Sequence, residues 1–342
     1  MTGDRVVSVD VRFAKDTVPV GELVPTAWAE FARSLSESVG VGQQRKTPGP
    51  GKVAGSDHCG AGPGIGSTLR AMPLTVEPMT ATIGAEVGGV DLADELDAAT
   101  VAAIRGALLE WKVIFFRDQH ALDRERHVAF GRLFGDLEVH PLTPKDQAEP
   151  EIFVLPAGGK NKAPGVWHSD VTWRPEPSMG SILRAIVLPP LGGDTLWADM
   201  GVAYDLLDDD TKHEIHDMVA LHDFTRAFGF GQPDDVRAKM REKYPTVEHP
   251  VVRTHPETGR KTLYVNASFT CGIKGLEPEQ AFGVLDRLQR QASVPDVQCR
   301  FRWEPGSVAF WDNRATQHAV SNDFLPDRRV MERVTVVGDR PF

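Results

Sequence analysis

The amino-acid sequence predicts a mainly β fold with a few added helices, of the β-sandwich or jelly-roll type. Many short apolar or alternating segments are separated by turns, and the chain of 342 residues contains 32 glycines and 25 prolines. Only a few stretches have helical periodicity, and the sequence contains no evident internal repeat. Short strands joined by turns rich in Gly and Pro are typical of sandwiches and barrels.

Two helices and a buried strand are predicted first. In residues 97–111 four apolar side chains lie on one helical face: Val101, Ile104, Leu108 and Trp111. Residues 113–116 form a continuous apolar run, which indicates a buried strand. Asp123 is of a residue type that caps helices, and the helix that it begins is predicted to end near Phe134.

Short strands and turns dominate the second half of the chain. Residues 251–254 and 262–265 flank a turn that contains Pro and Gly, which predicts a hairpin. Residues 299–303 alternate between apolar and polar side chains, as strands with one buried face do. Further strands are predicted at residues 307–311 and 334–337.

Residues 1–70 differ from the rest of the chain. Residues 39–66 are dense in Gly, Pro, Gln, Lys and Ser, with too few large apolar groups to offset the entropy cost of ordering them. Trp28, Phe31 and Leu35 lie at helical spacing, which favours a short helix at residues 26–38. We therefore expect a flexible, disordered leader over residues 1–70 and one folded domain over residues 71–342.

Composition excludes several classes of protein. The 48 acidic and 38 basic side chains give a net charge of −10, which argues against a nucleic-acid-binding surface. No apolar run approaches the roughly 18 residues of a membrane span, and the N-terminus lacks the pattern of a secretory signal. The three cysteines, Cys59, Cys271 and Cys299, include no CxxC pair, which indicates reduced thiols in a cytoplasmic protein.

A metal site is indicated by the His168-Ser169-Asp170 triplet. In an extended segment residues i and i+2 point the same way, so His168 and Asp170 can bind one ion together. An HxD triplet alone is common by chance, and a third ligand has to come from elsewhere; His318 is the best candidate. Two His and one carboxylate leave open positions on the ion, as in non-haem Fe(II) oxygenases.

A carboxylate clamp is indicated by Arg329, 11 residues after His318. If His318 and Arg329 lie on neighbouring strands of one sheet, the guanidinium can reach the same cavity and bind a carboxylate through two hydrogen bonds. A 2-oxo acid needs this combination, since its keto-acid end binds the metal and its far carboxylate meets Arg329. The hydroxyl of Thr195 is a further candidate for that carboxylate.

Five segments in this order resemble the TauD/TfdA family of Fe(II)- and 2-oxoglutarate-dependent dioxygenases: residues 167–172 (WHSDVT), 192–197 (GGDTLW), 255–259 (HPETG), 264–266 (YVN) and 311–318 (WDNRATQH). The resemblance runs from about Leu74 to Phe342. It implies a double-stranded β-helix (jelly-roll) core and a homodimer or homotetramer.

The resemblance also implies roles for individual residues. His168, Asp170 and His318 would bind iron, while Arg329 and Thr195 would anchor the carboxylate of 2-oxoglutarate, with O2 as the second co-substrate. Asp170 also indicates the type of reaction, because halogenating relatives have a small residue in place of this carboxylate. We therefore expect oxygenation.

Within the family the chain looks most similar to taurine dioxygenase and to alkylsulfatase-type members. The resemblance implies that Arg333 and His140 bind the anionic group of the substrate, and that Phe228 and Phe269 form aromatic walls of the pocket. Two positions depart from taurine dioxygenase: Pro164 stands where that enzyme has an asparagine, and Thr143 where it has a tyrosine. Lost polar groups argue against taurine itself, so alkyl sulfates and other sulfonates are equal candidates.

The expected reaction is hydroxylation of a small organic anion next to its anionic group, with release of succinate and CO2. A sulfonate or sulfate ester would then collapse to an aldehyde and sulfite or sulfate. The same chemistry on a carboxylate, such as an aryloxyalkanoate or a specialised metabolite, is the alternative. Two other classes remain, a zinc hydrolase with the same three ligands and a non-catalytic cupin-like binding module.

Two further pairs of possible metal ligands, His213 with His216 and His222 with Asp223, invite a metal-site interpretation. His213 and His216 are one residue too close for the HExxH pattern and lie in a charged run, which favours a solvated helix face. Phe224 and Phe228 follow His222-Asp223 closely, which favours a place in the pocket wall or core.

Overall fold

The computed structural model describes residues 74–144 and 146–342. The predicted leader at residues 1–70 and the predicted helix at 26–38 lie outside these described residues. In chain order the strands are β1 (Thr75–Pro78), β2 (Ala85–Gly88), β3 (Val113–Phe116), β4 (Phe153–Ala157), β5 (Ser178–Val187), β6 (Thr195–Asp199), β7 (Val219–His222), β8 (Val247–Pro250), β9 (Val252–Thr254), β10 (Lys261–Leu263), β11 (Thr270–Ile273), β12 (Gln298–Phe301), β13 (Val308–Asp312), β14 (Thr316–Val320) and β15 (Arg329–Val337).

Seven α-helices connect and cover these strands in the described part of the chain: α1 (Ala98–Trp111), α2 (Arg124–Arg132), α3 (Met200–Asp205), α4 (Asp209–Ile215), α5 (Phe224–Phe228), α6 (Asp234–Lys243) and α7 (Pro278–Gln289). None of the described helices is long and apolar enough to cross a membrane.

The strands form a large sheet, a smaller sheet and two additional groups. The large sheet has seven strands in the order β1-β2-β3-β13-β5-β15-β4, and the smaller sheet has the order β12-β6-β14. Strands β11-β7-β8 form a third sheet, and β9 and β10 form the predicted hairpin.

The alternation of β3 shows how the layers are arranged. Val113 and Phe115 share a core with Trp197 of β6 and Phe301 of β12, so this face of the large sheet packs on the smaller sheet. Ile114 and Phe116 point the other way and pack on α1 and α2. Two sheets around a common core, with helices outside, confirm the predicted mainly β chain with a jelly-roll core.

Local signals placed the first elements correctly. Helix α1 begins after Asp97, whose side chain accepts a hydrogen bond from the Thr100 N–H, and α2 begins after Asp123 in the same way. The predicted strand at residues 113–116 coincides with β3. Helix α2 ends at Arg132, two residues before the predicted end.

The structure corrects two expectations about the end of the chain. The strand predicted at residues 334–337 is only the last part of β15, which begins at Arg329. Charged side chains interrupt its apolar pattern, and for that reason the strand appeared shorter. His318 and Arg329 also do not lie on neighbouring strands of one sheet, because β14 belongs to the smaller sheet and β15 to the large one. They face a common cavity from opposite sheets.

Candidate active site

A cavity of about 690 Å³, including its mouth, opens between the large and the smaller sheet. β4, β5, β13 and β15 line it on one side, and β6 and β14 line it on the other. The nine residues to which the sequence assigns a metal, co-substrate or substrate role all line this one cavity: His140, His168, Asp170, Thr195, Phe228, Phe269, His318, Arg329 and Arg333. The folded chain therefore brings together groups that are far apart in the sequence.

His168, Asp170 and His318 converge at the wall of this cavity. One potential ligand atom from each lies within 4.8 Å of the others, and all three residues are buried. Reciprocal backbone hydrogen bonds hold His168 against His318 of β14, with N···O distances of 3.1 and 2.8 Å. The two imidazole centroids are 4.2 Å apart. Backbone pairing therefore sets the spacing of the two rings.

The protonation states of the two imidazoles suit a metal ligand. His168 Nδ1 lies 2.7 Å from the carbonyl oxygen of Val166, which can only accept, so the ring proton is on Nδ1 and the lone pair on Nε2. Burial lowers the pKa of His168 and of His318, so both rings are neutral at pH 7. Two neutral imidazoles and a carboxylate are the donor set of a divalent transition metal such as Fe(II).

Hydrogen bonds orient the carboxylate of Asp170. Its Oδ2 accepts from the Ser181 hydroxyl at 2.8 Å, and its Oδ1 accepts from Arg333 Nη1. Asn313 Oδ1 accepts from the Asp170 backbone N–H, and Asn313 Nδ2 donates to Ser181 Oγ. Burial opposes ionisation of Asp170, but the charge of the Arg333 guanidinium and the hydrogen bond from Ser181 outweigh it and hold the pKa of Asp170 below its ordinary value. The carboxylate is therefore fixed and charged.

Val171 follows Asp170 with an unusual backbone. Its φ of 50° lies in the left-handed region, which β-branched residues rarely adopt. Such a conformation costs on the order of 1–3 kcal/mol and persists only where the surroundings enforce it. Val171 is buried and lines the cavity. A hydrogen bond from the Arg174 N–H to the Val171 carbonyl at 3.0 Å closes a turn directly after Asp170.

Arg329 and Thr195 form a second polar corner of the cavity. Arg329 Nε donates to the Gly193 carbonyl at 3.0 Å, and its Nη2 donates to the Thr195 hydroxyl at 3.2 Å. Trp303 Nε1 also donates to this hydroxyl at 3.0 Å. Burial lowers the pKa of Arg329 to about 10, so the guanidinium keeps its charge at neutral pH. A buried, oriented guanidinium beside a hydroxyl is suited to binding a carboxylate.

Arg333 and His140 form a third polar corner. Arg333 Nε is buried and has no hydrogen-bond partner among the described residues, so it is available as a donor. His140 Nδ1 accepts from the Leu142 N–H at 3.2 Å, which leaves the ring proton on Nε2. Burial, with the nearby Arg333 charge, lowers the pKa of His140 to about 3, so the ring is a neutral donor. The Phe153 ring stacks on the His140 ring, with the two centroids 4.2 Å apart.

The two positions that differ from taurine dioxygenase have different locations. Pro164 lines the cavity, whereas Thr143 is not among the lining residues. Ser181 and Asn313, which hold Asp170, were not predicted from the sequence. Each has a feature that could have pointed to it. Ser181 is a polar residue within the buried part of β5, and Asn313 lies inside the segment that ends at His318.

The other two pairs of possible metal ligands lie outside this site. His213 and His216 are exposed, as expected for a solvated helix face. His222 is buried and its Nδ1 lies 2.9 Å from the Thr172 hydroxyl, while Asp223 caps α5. These contacts account for the His222-Asp223 pair as a structural element.

Comparison with known proteins relates the chain to one family. Residues 75–335 match the family described as taurine catabolism dioxygenase TauD, TfdA family. The chain is 37% identical over 285 residues to the alpha-ketoglutarate-dependent sulfate ester dioxygenase of Pseudomonas putida, covering 81% of this chain and 94% of that protein. It is 37% identical over 275 residues to the alkylsulfatase of Acinetobacter baylyi, covering 78% and 86%.

A solved structure shares the architecture. The crystal structure of a taurine dioxygenase from Burkholderia xenovorans matches with a TM-score of 0.68 and 40% sequence identity, covering 78% of this chain and 92% of that one.

Proposed function

The chain belongs to the taurine catabolism dioxygenase TauD, TfdA family, and from this membership we propose that it is an Fe(II)- and 2-oxoglutarate-dependent dioxygenase of organic sulfate esters or sulfonates. The observation that carries the proposal is the position of two arginines on β15. Arg329 and Arg333 are four residues apart on this strand, so both face the cavity. At about 3.3 Å per residue their Cα atoms are about 13 Å apart, which separates two anion sites.

His168, Asp170 and His318 would hold the iron. Three ligands leave three positions for other groups on a six-coordinate ion. The chemistry that Fe(II) supplies when bound is activation of O2, coupled to oxidative decarboxylation of 2-oxoglutarate to succinate and CO2. Ser181 and Arg333 would hold the Asp170 carboxylate in place, and the Val166 carbonyl would hold the His168 ring.

Arg329 and Thr195 would hold the far carboxylate of 2-oxoglutarate. The guanidinium is already oriented by the Gly193 carbonyl and the Thr195 hydroxyl, so little side-chain freedom is lost on binding. A carboxylate there would also offset the cost of burying the positive charge.

Arg333 and His140 would hold the sulfate or sulfonate of the substrate. Arg333 supplies charge and the unpartnered Nε–H, and neutral His140 supplies the Nε2–H. The aromatic walls formed by Phe153, Phe228 and Phe269 exclude water from the adjacent carbon. These groups place the carbon next to the anion at the reacting end of the cavity.

The net reaction puts one oxygen atom of O2 into the C–H bond beside the anionic group, and the other into succinate. With a sulfate ester, the new hydroxyl then loses its proton as the C=O bond forms. The C–O bond to sulfate breaks, which yields an aldehyde and sulfate. With a sulfonate, the new hydroxyl would likewise lose its proton as the C=O bond forms, and the C–S bond would break, which releases sulfite.

A succinate-release screen tests this proposal. The full chain with Fe(II), ascorbate and 2-oxoglutarate is given alkyl sulfates, sulfonates including taurine, and aryloxy- or alkyl-carboxylates. We expect sulfate esters or sulfonates to stimulate succinate release. Stimulation by carboxylates alone would overturn the substrate assignment, and sulfate release without 2-oxoglutarate would indicate a hydrolase. A homodimer or homotetramer in the cytoplasm stays part of the proposal, and light scattering tests the assembly.

A further inference from the structure

Behind the substrate end of the cavity, the buried carboxylate of Glu138 forms an ion pair with the partly exposed guanidinium of Arg174, and neither residue lines the cavity. We propose that this pair is a positioning device, which holds the His140 segment against the segment of His168 and Asp170 and thereby sets the site of the substrate anion. The inference rests on the proposed role of His140 and Arg333.

The contacts of the pair join three parts of the chain. Arg174 Nη2 donates to Glu138 Oε1 at 2.7 Å. The Glu138 backbone N–H donates to the Thr335 carbonyl of β15, two residues after Arg333. The Arg174 N–H donates to the Val171 carbonyl, next to Asp170. The ion pair therefore crosses from the strand of the anion-binding arginine to the metal-ligand segment, with His140 two residues away.

Arg174 is itself held from two sides. Its guanidinium lies 4.9 Å above the ring of Trp173, which lines the cavity. Its carbonyl oxygen lies 3.0 Å from His249 Nε2, which donates to it. A side chain fixed in this way can fix its partner in turn.

The charge of the pair matters as well as its geometry. Burial raises the pKa of Glu138, whereas the positive charges of Arg174 and Arg333 act in the opposite direction. An unpaired carboxylate at this place would repel a substrate anion bound to Arg333. Arg174 therefore has two effects, since it ties down the His140 segment and neutralises a buried negative charge.

The first arm of the test compares two changes at Glu138, with hexyl sulfate as the probe. Glu138→Ala should raise the KM for hexyl sulfate by about tenfold. The Kd of hexyl sulfate, measured under nitrogen so that no turnover occurs, should rise equally. Both kcat and the KM for 2-oxoglutarate should stay unchanged. Glu138→Gln keeps an acceptor for Arg174, so it should stay close to wild type. Equal defects in both variants, or equal effects on both KM values, would overturn the inference.

The second arm is a double-mutant cycle. Arg174→Ala should weaken hexyl sulfate binding more than Glu138→Ala does, because it leaves a buried carboxylate unpaired. Adding Glu138→Gln to Arg174→Ala should restore part of the affinity. Weaker binding by the double variant than by Arg174→Ala alone would overturn the inference.

Controls separate the outcomes. Glu248→Ala removes an exposed ion pair with Lys274 and should change neither KM. Thermal unfolding of every variant identifies loss of folding. Absence of turnover by wild type with hexyl sulfate and with every other sulfate ester and sulfonate of the screen, with the Kd cycle intact, would refute the proposed function and leave the positioning role standing. Turnover of hexyl sulfate by wild type, together with a Kd for hexyl sulfate that Glu138→Ala leaves unchanged, would support the proposed function and refute the positioning role.

Discussion

At the scale of single residues, Arg333 connects two parts of the site. It donates to Asp170 Oδ1 and also carries the buried Nε–H that we assign to the substrate anion. Each new partner of this guanidinium therefore alters the surroundings of Asp170, a proposed metal ligand. Binding of the substrate anion at Arg333 would thus be coupled to the orientation of the Asp170 carboxylate through one side chain.

Loss of a metal ligand should abolish the reaction. His168→Ala or Asp170→Ala removes one of three donors, so we expect no substrate-dependent succinate and a lower iron content measured by elemental analysis. The exposed residue His213 offers a matched control, because His213→Ala should leave both readouts unchanged. Normal turnover in either ligand variant would refute the ligand assignment.

The two cavity arginines should act on different ligands. Arg333→Ala should raise the KM for the organic anion by about thirtyfold or more, since a buried charge partner is lost. Arg329→Ala should instead raise the KM for 2-oxoglutarate. Steady-state kinetics with each ligand varied in turn measures both constants. If each variant changed both constants alike, the division of the cavity into two anion sites would be wrong.

At the scale of elements, β15 organises the site. Arg329 and Arg333 face the cavity, while Glu332 points to the other side and pairs with Arg124 at the start of α2. The neighbours of β15 are β5 and β4 in the large sheet. One strand thus sets the distance between the two anion sites and also attaches the outer helix.

The short helix α5 depends on its cap. Asp223 accepts from the Thr225 N–H at 2.6 Å, and the helix carries the pocket residue Phe228. Asp223→Ala should lower the free energy of unfolding by about 1 kcal/mol or more and raise the KM for the organic anion. Asp223→Asn keeps a capping oxygen and should lose less. Urea unfolding of the two variants measures the difference, and equal losses would contradict the capping role.

Elements with local signals were predictable from sequence, and elements set by distant partners were not. Asp97 and Asp123 mark helix starts by themselves, and the apolar run of β3 identifies a strand. β15 was underestimated because its charged side chains find partners far away in the chain. The position of β13 between β3 and β5 likewise depends on pairing that no local pattern encodes.

The candidate site was predictable where residue chemistry is restrictive. Few residue types bind iron or clamp carboxylates, so His168, Asp170, His318 and Arg329 could be singled out before their positions were known. Glu138 and Arg174 could not, because Glu and Arg are common on surfaces and only the fold shows that they pair beside the cavity, with Glu138 buried.

At the scale of the whole molecule, buried histidines make stability depend on pH. Burial lowers the pKa of His127 and of His249 to about 4 and that of His140 to about 3. Unfolded chains take up these protons near pH 6.5, whereas the folded chain does not until about pH 4. The free energy of unfolding should therefore fall as pH drops from 6.5 toward 4, by up to about 1.4 kcal/mol per pH unit for each such histidine.

Urea midpoints at pH 7.5, 6.5, 5.5 and 4.5 measure this dependence. His213→Gln changes an exposed histidine and should leave the slope as it is. A stability that stays flat between pH 6.5 and 4.5 would show that the buried rings take up protons in the folded chain.

The reciprocal backbone bonds between His168 and His318 have a thermodynamic consequence. These bonds join two segments that are far apart in the sequence. The three proposed metal ligands come together only when these bonds have formed. An ion that requires all three donors binds the native chain and not the denatured one, so saturation shifts the folding equilibrium by RT ln(1 + [metal]/Kd). Melting temperature can then report occupancy, and added chelator should lower it in proportion to the logarithm of free metal.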